Sequence, residues 1–381
     1  MSMTIMVGTT KGAFLLRSDD GRWDVEGPFC DGWPINHVVG DPETGRFWAA
    51  GGGEWHGAGV WRSDDDGESW TLSKLSNGQL DEWAANDPKL AGMFGWKPVE
   101  APYDGEVSSI WSLHHAHDTL YAGAKPATLF VSRDGGQSWD RVEGLNNHPS
   151  RESWNPGAAG LVLHTILSDP QEPDKLWLGI SAAGVFATED GGETWARRNR
   201  LSNAGASAEH NHPAAPSDGE IGHCVHNMAR AAGDEVIYQQ NHHGVFRSTD
   251  GARTWEDITV GLPSTFGFPI AVHPHDALTV WVLPLNGDTE GRYPPEAAAA
   301  VWKSTDGGNS WIAKREGLPG QNCYFTVLRQ AMATDTSSPV GVYFGTNTGS
   351  VFASRDEGET WTEIARHLPT VLSVEAMERA G

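Results

Sequence analysis

Cysteine is scarce: Cys30, Cys224 and Cys323 are the three in 381 residues, and no Cys-x-x-Cys pair occurs. An odd, scattered set argues against a disulfide scaffold and against a thiolate zinc ribbon, so free and mostly buried thiols are expected. Cations are scarce too. Twenty-seven Lys and Arg face 50 Asp and Glu, for a formal charge of −23, and no Lys/Arg cluster offers a local exception. That footprint argues against nucleic acid or an anionic membrane as the partner. Long apolar runs are missing, with none reaching the roughly 18 residues of a membrane helix. The N-terminal MSMTIMVGTTKG also lacks a basic segment followed by an apolar core. A soluble, cytoplasmic protein is expected. Absent as well are a GxSxG elbow, a Walker loop, a dinucleotide fingerprint and an HExxH pair.

What the chain does hold is glycine, proline and tryptophan, 46, 22 and 18 of them, spread between short apolar runs as many strands and turns require. One string keeps returning. SDDDGESW (63–70), SRDGGQSW (132–139), TEDGGETW (188–195), STDGARTW (248–255), STDGGNSW (304–311) and SRDEGETW (354–361) share their offsets, and SDDGRW (18–23) is a shortened copy. The closing residues Trp23, Trp70, Trp139, Trp195, Trp255, Trp311 and Trp361 stand 47, 69, 56, 60, 56 and 50 residues apart. Each interval has room for one four-stranded unit, the period of a propeller.

Before each copy runs an apolar strand (GVWRS, TLFVS, GVFAT, GVFRS, AVWKS, SVFAS), before that a second (FWAAGG, LYAGA, LWLGI, VIYQQ, VWVLP, VYFGT), and before some a more buried third (INHVV, LVLHTIL, FPIAV). With the short strand after each box, these are strands A to D of a blade, and the box is the C to D turn. Its Asp can accept backbone N–H groups, its Gly can take positive φ and its Trp can plug neighbouring sheets. Residues 4–26 supply strands B, C and D without an A, and LPTVLSVEAM (368–377) is an A strand with no blade to follow. The expectation is an all-β, seven-bladed β-propeller over residues 1–381, one domain, its ring closed by the C-terminal strand pairing into the N-terminal blade.

The repeats resemble the Asp-box (BNR) repeats of β-propellers, a group that includes sialidases, sortilin-type receptors and photosystem assembly factors. The resemblance covers nearly the whole chain and implies the fold. Similar bacterial proteins carry sialidase-like or glycosyl hydrolase-like labels without an established activity. A sialidase would add three arginines that clamp a carboxylate with bidentate geometry, a Tyr/Glu nucleophile pair and an acidic proton donor. The N-terminal TTKGAFLLRS has no Arg-Ile-Pro motif, and Arg151, Arg292 and Arg329 do not follow the pattern. This argues against sialidase activity itself.

A site is expected on the face opposite the boxes, built from D to A links and B to C loops. Three links are long, at 71–105, 145–160 and 201–222, and the last contains AEHNHPAAPSDGEIGH. Catalytic candidates are Glu54, His56, His242, Arg292, Glu106 and Glu220. The last two come from matching DGEV and DGEI entries into inner strands and form a candidate acid and base pair. Substrate-binding candidates are Lys125, Arg151, Trp154, His223, Asn241 and Tyr293. Counting back from Trp48, Trp177 and Tyr238, the inner strands place His37, His164 and His226 at offsets of 11, 13 and 12 residues. Three neutral imidazoles on the channel axis would hold a divalent transition metal (Zn, Mn or Fe) with an open position. A one-residue slip would turn a side chain to the other face.

The first functional reading is a metal-dependent lyase or hydrolase acting on a small polar or saccharide-derived substrate at the channel. The second is a non-catalytic propeller that presents exposed Trp83, Trp96 and Trp154 to a protein partner. The third is a metal-free glycoside hydrolase working through a carboxylate pair. Enzyme and binding module both stay open at this level.

Overall fold

Strand, turn and strand repeat because each apolar run alternates with a turn that satisfies its own backbone. In the computed structural model, residues 2–19, 21–97, 99–202, 219–231 and 233–379 are described. They form seven four-stranded antiparallel sheets, the blades of a seven-bladed propeller. The second blade shows the plan: Ile35–Asp41, Arg46–Gly53, Gly57–Ser63 and Thr71–Ser76 pair in that order from the axis outward. The first blade takes its inner strand from the far end of the chain. Val371–Arg379 pairs antiparallel with Ser2–Thr9, which pairs with Gly12–Asp19 and then Arg22–Phe29. The ring closes as expected.

The eight-residue string occupies the C to D turns of the second to seventh blades, and its hydrogen bonds explain its spelling. Ser63 Oγ donates to Asp65 Oδ1 (2.8 Å) and accepts the Gly67 N–H, while Asp65 accepts the N–H and hydroxyl of Ser69. The same set recurs around Asp134, Asp190, Asp250, Asp306 and Asp356. The boxes therefore serve as self-contained turns. Strand B reads them from the neighbouring blade: the indole N–H of Trp48 donates to Gly135 O, Trp177 to Gly251 O and Trp281 to Glu357 O. Gly358 sits at φ +88°, and a Cβ there would stand 2.9 Å from the Trp281 indole nitrogen. That close approach and that dihedral both require glycine.

The boxes also set an acid limit. At Asp190 the Thr188 and Thr194 hydroxyls hold the carboxyl down to about 2. At Asp134 desolvation opposes the shift, yet donors from Ser138, Ser132 and Gln137 also bring it to about 2. Hydrogen bonds from Ser69 and Ser310 lower Asp65 and Asp306 in the same direction. A carboxyl depressed in the folded state contributes stability that is complete above its unfolded value, 3.8, and is lost as pH falls through the folded one. Melting temperature followed by circular dichroism should fall steeply between about pH 4 and pH 2. An Asp134→Asn, Asp190→Asn double variant should melt lower at neutral pH and show a shallower acid slope.

Among the described residues three short α-helices interrupt the all-β pattern, Gln79–Asn86 (α1) and Pro88–Met93 (α2) in the link between the second and third blades and Glu143–Asn146 (α3) in the next link. The first is tied down by Lys74, whose ammonium reaches Asp81 at 2.5 Å in α1. No helix among the described residues is long and apolar enough to cross a membrane.

Candidate functional site

The three inner-strand histidines do not share a position. Each inner strand carries a β-bulge: Ile35 and His37 pair with Gly51 and Ala50, Leu163 and Thr165 with Ile180 and Gly179, Val225 and Asn227 with Asn241 and Gln240. The skipped residues are Asn36, His164 and His226. His37 is therefore the counterpart of Thr165 and Asn227, one residue past His164 and His226. The predicted triad His37, His164 and His226 is corrected on this point, because a bulged residue stands outside the alternation that the counting assumed. Two of the bulged side chains are tied to the next blade, Asn36 Nδ2 donating to Ile110 O (2.8 Å) and His226 Nδ1 meeting Gly267 O (2.5 Å), while His164 Nδ1 meets Thr165 Oγ1 (2.9 Å) on its own strand. His37 instead has both ring nitrogens engaged, Nδ1 accepting the Leu113 N–H and Nε2 standing 3.2 Å from Glu375 Oε1.

His37 faces the box side of the channel, a cavity of about 430 Å³ that it shares with His114, His164, Arg230, Gln330 and Glu375. Burial pushes His114 down to about 4, helped by the charges of His37, His115 and His117. His114 also meets Ser168 Oγ at 2.8 Å. The hydrogen bonds of His37 and His114 tie neighbouring blades together.

The loop candidates are dispersed. Glu54 and Glu106 border a small cleft of about 270 Å³ between the second and third blades, and Glu106 is paired with Arg141. Glu220 reaches His223 Nε2 at 2.8 Å, with Arg197 on the same ring. Glu106 and Glu220 thus answer to different partners in different links and do not form an acid and base pair. His56 lies against Trp33 at 5.1 Å, its pKa lowered by burial and then by Lys74. The Lys125 side chain covers Gly160. Arg151 and Trp154 are packing residues: Trp154 is buried against Phe186, its indole bonded to Ser150, and the Arg151 guanidinium lies 5.0 Å over it while donating to Ala127 O. Asn241 is fully buried and accepts the His243 N–H, so it shapes the strand end. Trp83 is 38% exposed and Trp96 half-buried, so the predicted tryptophan face is not assembled. The AEHNHPAAPS segment of the third long link lies outside the described residues.

Three candidates do converge. His242 and Tyr293 line an open pocket of about 800 Å³ with Phe266, Asp288, Glu290, Glu296 and Tyr324, and Arg292 joins them through its ion pair with Asp288. It lies between the B to C loops of the fifth and sixth blades and the links that follow them, on the face opposite the boxes. Arg292 directs Nε and Nη2 onto one oxygen of Asp288, at 2.7 and 2.6 Å. The other oxygen stands 3.4 Å from His242 Nδ1. Tyr293 and Tyr324 meet edge to face at 5.1 Å, and Tyr324 is 66% exposed. Under this pocket His226 packs 4.5 Å from His242 and 4.6 Å from Phe268. Beside it, the Arg329 guanidinium lies 5.0 Å over Phe268.

Two members of this group are not among the expected site residues. Asp288 was visible in NGDTEGRYPP, four residues before Arg292. Cys224 was set aside as inert, although it stands two residues from His226; burial pushes its thiol up, and it contacts Ser181 Oγ at 3.3 Å.

No protein-family model matches the chain. The xyloglucanase of Hypocrea jecorina (strain QM6a) is 21% identical over 288 residues, covering 74% of this chain and 30% of that protein. The chain spans at most 30% of the length of the curated relatives it matches. Among solved structures, the GH74 xyloglucanase from Xanthomonas campestris superposes with a TM-score of 0.60 at 18% identity, over 95% of this chain and 52% of that one. YCF48 bound to D1 peptide superposes with a TM-score of 0.51 at 12% identity, over 87% and 82%. At these identities the structural likenesses establish the propeller fold.

Proposed function

We propose that the protein is a glycoside hydrolase-like propeller that takes a saccharide into the pocket between the fifth and sixth blades. The observation that carries the reading is the lining itself: Asp288, Glu290 and Glu296 surround one opening that also exposes Tyr324 beside Tyr293. Carboxylates supply the acid and base that glycosidic cleavage needs, and aromatic faces stack on sugar rings. The xyloglucanase similarity adds a substrate class, xyloglucan. Asp288 is the carboxylate placed for chemistry, because Arg292 fixes one oxygen and leaves the other toward His242. Sialidase activity receives no support from this geometry.

The test is a hydrolysis screen, by reducing-end release and mass spectrometry, over xyloglucan oligosaccharides, unbranched β-glucans and uronate-bearing oligosaccharides. Cleavage of at least one class is expected, competed by its own product. Neither cleavage nor binding of any of them would sink the proposal. A second, non-catalytic reading has one observation behind it: the α1–α2 link exposes the large apolar side chains Trp83, Met93 (78%), Phe94 (76%) and Val99, a composition found where proteins dock. A barren screen would leave that reading standing.

A further inference from the structure

Beneath the saccharide pocket three metal-binding side chains converge from two turns of the fifth blade. Cys224 leads into the inner strand Val225–Arg230, His226 is its bulged residue and His242 lies in the B to C turn. One ligand atom from each stands within 4.8 Å of the other two. Around a tetrahedral zinc, ligand atoms are about 3.5 Å apart, so a side-chain rotation of about 1 Å closes the set.

The orientation of the rings gives this convergence its meaning. His226 Nδ1 lies 2.5 Å from Gly267 O, and a carbonyl only accepts, so Nδ1 carries the proton and Nε2 presents a lone pair. That Nε2 is fully buried and has no hydrogen-bond partner. Native interiors rarely leave an acceptor so. His242 has a carboxylate on its Nδ1 side, Asp288 at 3.4 Å. A metal-bound histidine characteristically has its second nitrogen held in this manner, by a backbone carbonyl in one case and by a carboxylate in the other. Phe266 and Phe268 wall the pair at 4.6 to 5.2 Å, which keeps water from competing.

Charge is consistent with a thiolate ligand. Among the described residues Arg329 has no carboxylate in ion-pair range, and the acidic groups that act on it are Cys224 and Asp288. We infer that Cys224, His226 and His242 form a three-ligand zinc site whose fourth position opens into the saccharide pocket. One thiolate with two imidazoles suits zinc and suits manganese poorly, because manganese prefers oxygen ligands. Binding converts the thiol to thiolate and releases its proton to solvent. With Arg292 and Arg329 nearby, the open position favours an anionic oxygen, hydroxide or an ionised substrate group.

The experiment uses the full chain, purified without a metal-affinity tag, stripped with chelator and titrated with zinc alone and with cobalt(II) alone. About one zinc per chain by elemental analysis is expected, together with a cobalt(II)–thiolate charge-transfer band. Cys224→Ser should abolish the band, and Cys224→Ser and His226→Gln should each weaken zinc by at least about tenfold. His164→Gln, outside the group, should leave both unchanged. Because His226 is buried, each variant is first shown to unfold cooperatively; Cys224→Ser, a near-isosteric change at a partly buried position, carries the test if His226→Gln does not fold. A chain that takes up no zinc after reloading, or a Cys224→Ser variant that binds zinc as tightly as the parent, overturns the inference. The readout is metal itself, so it stands or falls separately from saccharide cleavage.

Discussion

A chain ending at Pro369 is expected to lose its cooperative unfolding transition. The removed strand, Val371–Arg379, is the innermost of the first blade and pairs with Ser2–Thr9 at eight positions. It buries Val371 and Val374 completely and Met377 to 3% exposure. Three such side chains contribute about 1.5–3 kcal/mol each, and eight ladder positions add about 0.5–1.5 kcal/mol per hydrogen bond. Their sum reaches the whole stability of a typical domain, about 5–15 kcal/mol. The cut also bares the edge of Ser2–Thr9, an invitation to aggregate. Circular dichroism melts of the truncated chain, with and without a peptide of residues 370–379, provide the check. Recovery of the transition on adding the peptide is expected, and a truncated chain that melts like the parent would mean that the ring does not depend on its closure.

Replacing Asp288 by Asn should cut kcat on a cleaved saccharide by about 10²–10⁴-fold, the range for losing a general acid or base. Asparagine keeps the shape and still accepts from Arg292, so the change removes proton chemistry and little else. Equal losses in kcat and kcat/KM mark a role in the transition state. A rise in KM alone marks a carboxylate that only orients the pocket through Arg292 and His242. Glu290→Gln and Glu296→Gln, on the same opening, identify the second carboxylate by the same split. Glu26→Gln, a surface partner of Arg17 at 3.2 Å, serves as the control with unchanged kinetics. Parent-like rates in all three pocket variants would remove the chemistry from this pocket.

The fold was legible because its information is local and repeated. Every box carries its own hydrogen-bond donors and acceptors within eight residues, so the turn is fixed by composition at set offsets. Strand alternation does the rest, and the orphan strands at the two ends could only complete each other. The site was legible only in part. His242, Arg292 and Tyr293 were found because long B to C loops declare themselves as interruptions of the period. The His37, His164, His226 alignment failed because a β-bulge adds one residue without changing the apolar pattern, and counting along the chain cannot see which residue is pushed out.

Sequence by itself determined seven four-stranded blades, the position of the turns, the face that carries the variable loops and the strand that closes the ring. Tertiary structure decided which polar residues meet. His242 with Cys224 and His226 from another segment of its blade, and Asp288 with His242 from the next blade, are brought together by tertiary packing. Such meetings depend on bulge placement and link length, quantities that no periodicity encodes, whereas the blades depend on hydrogen bonds between residues a few positions apart.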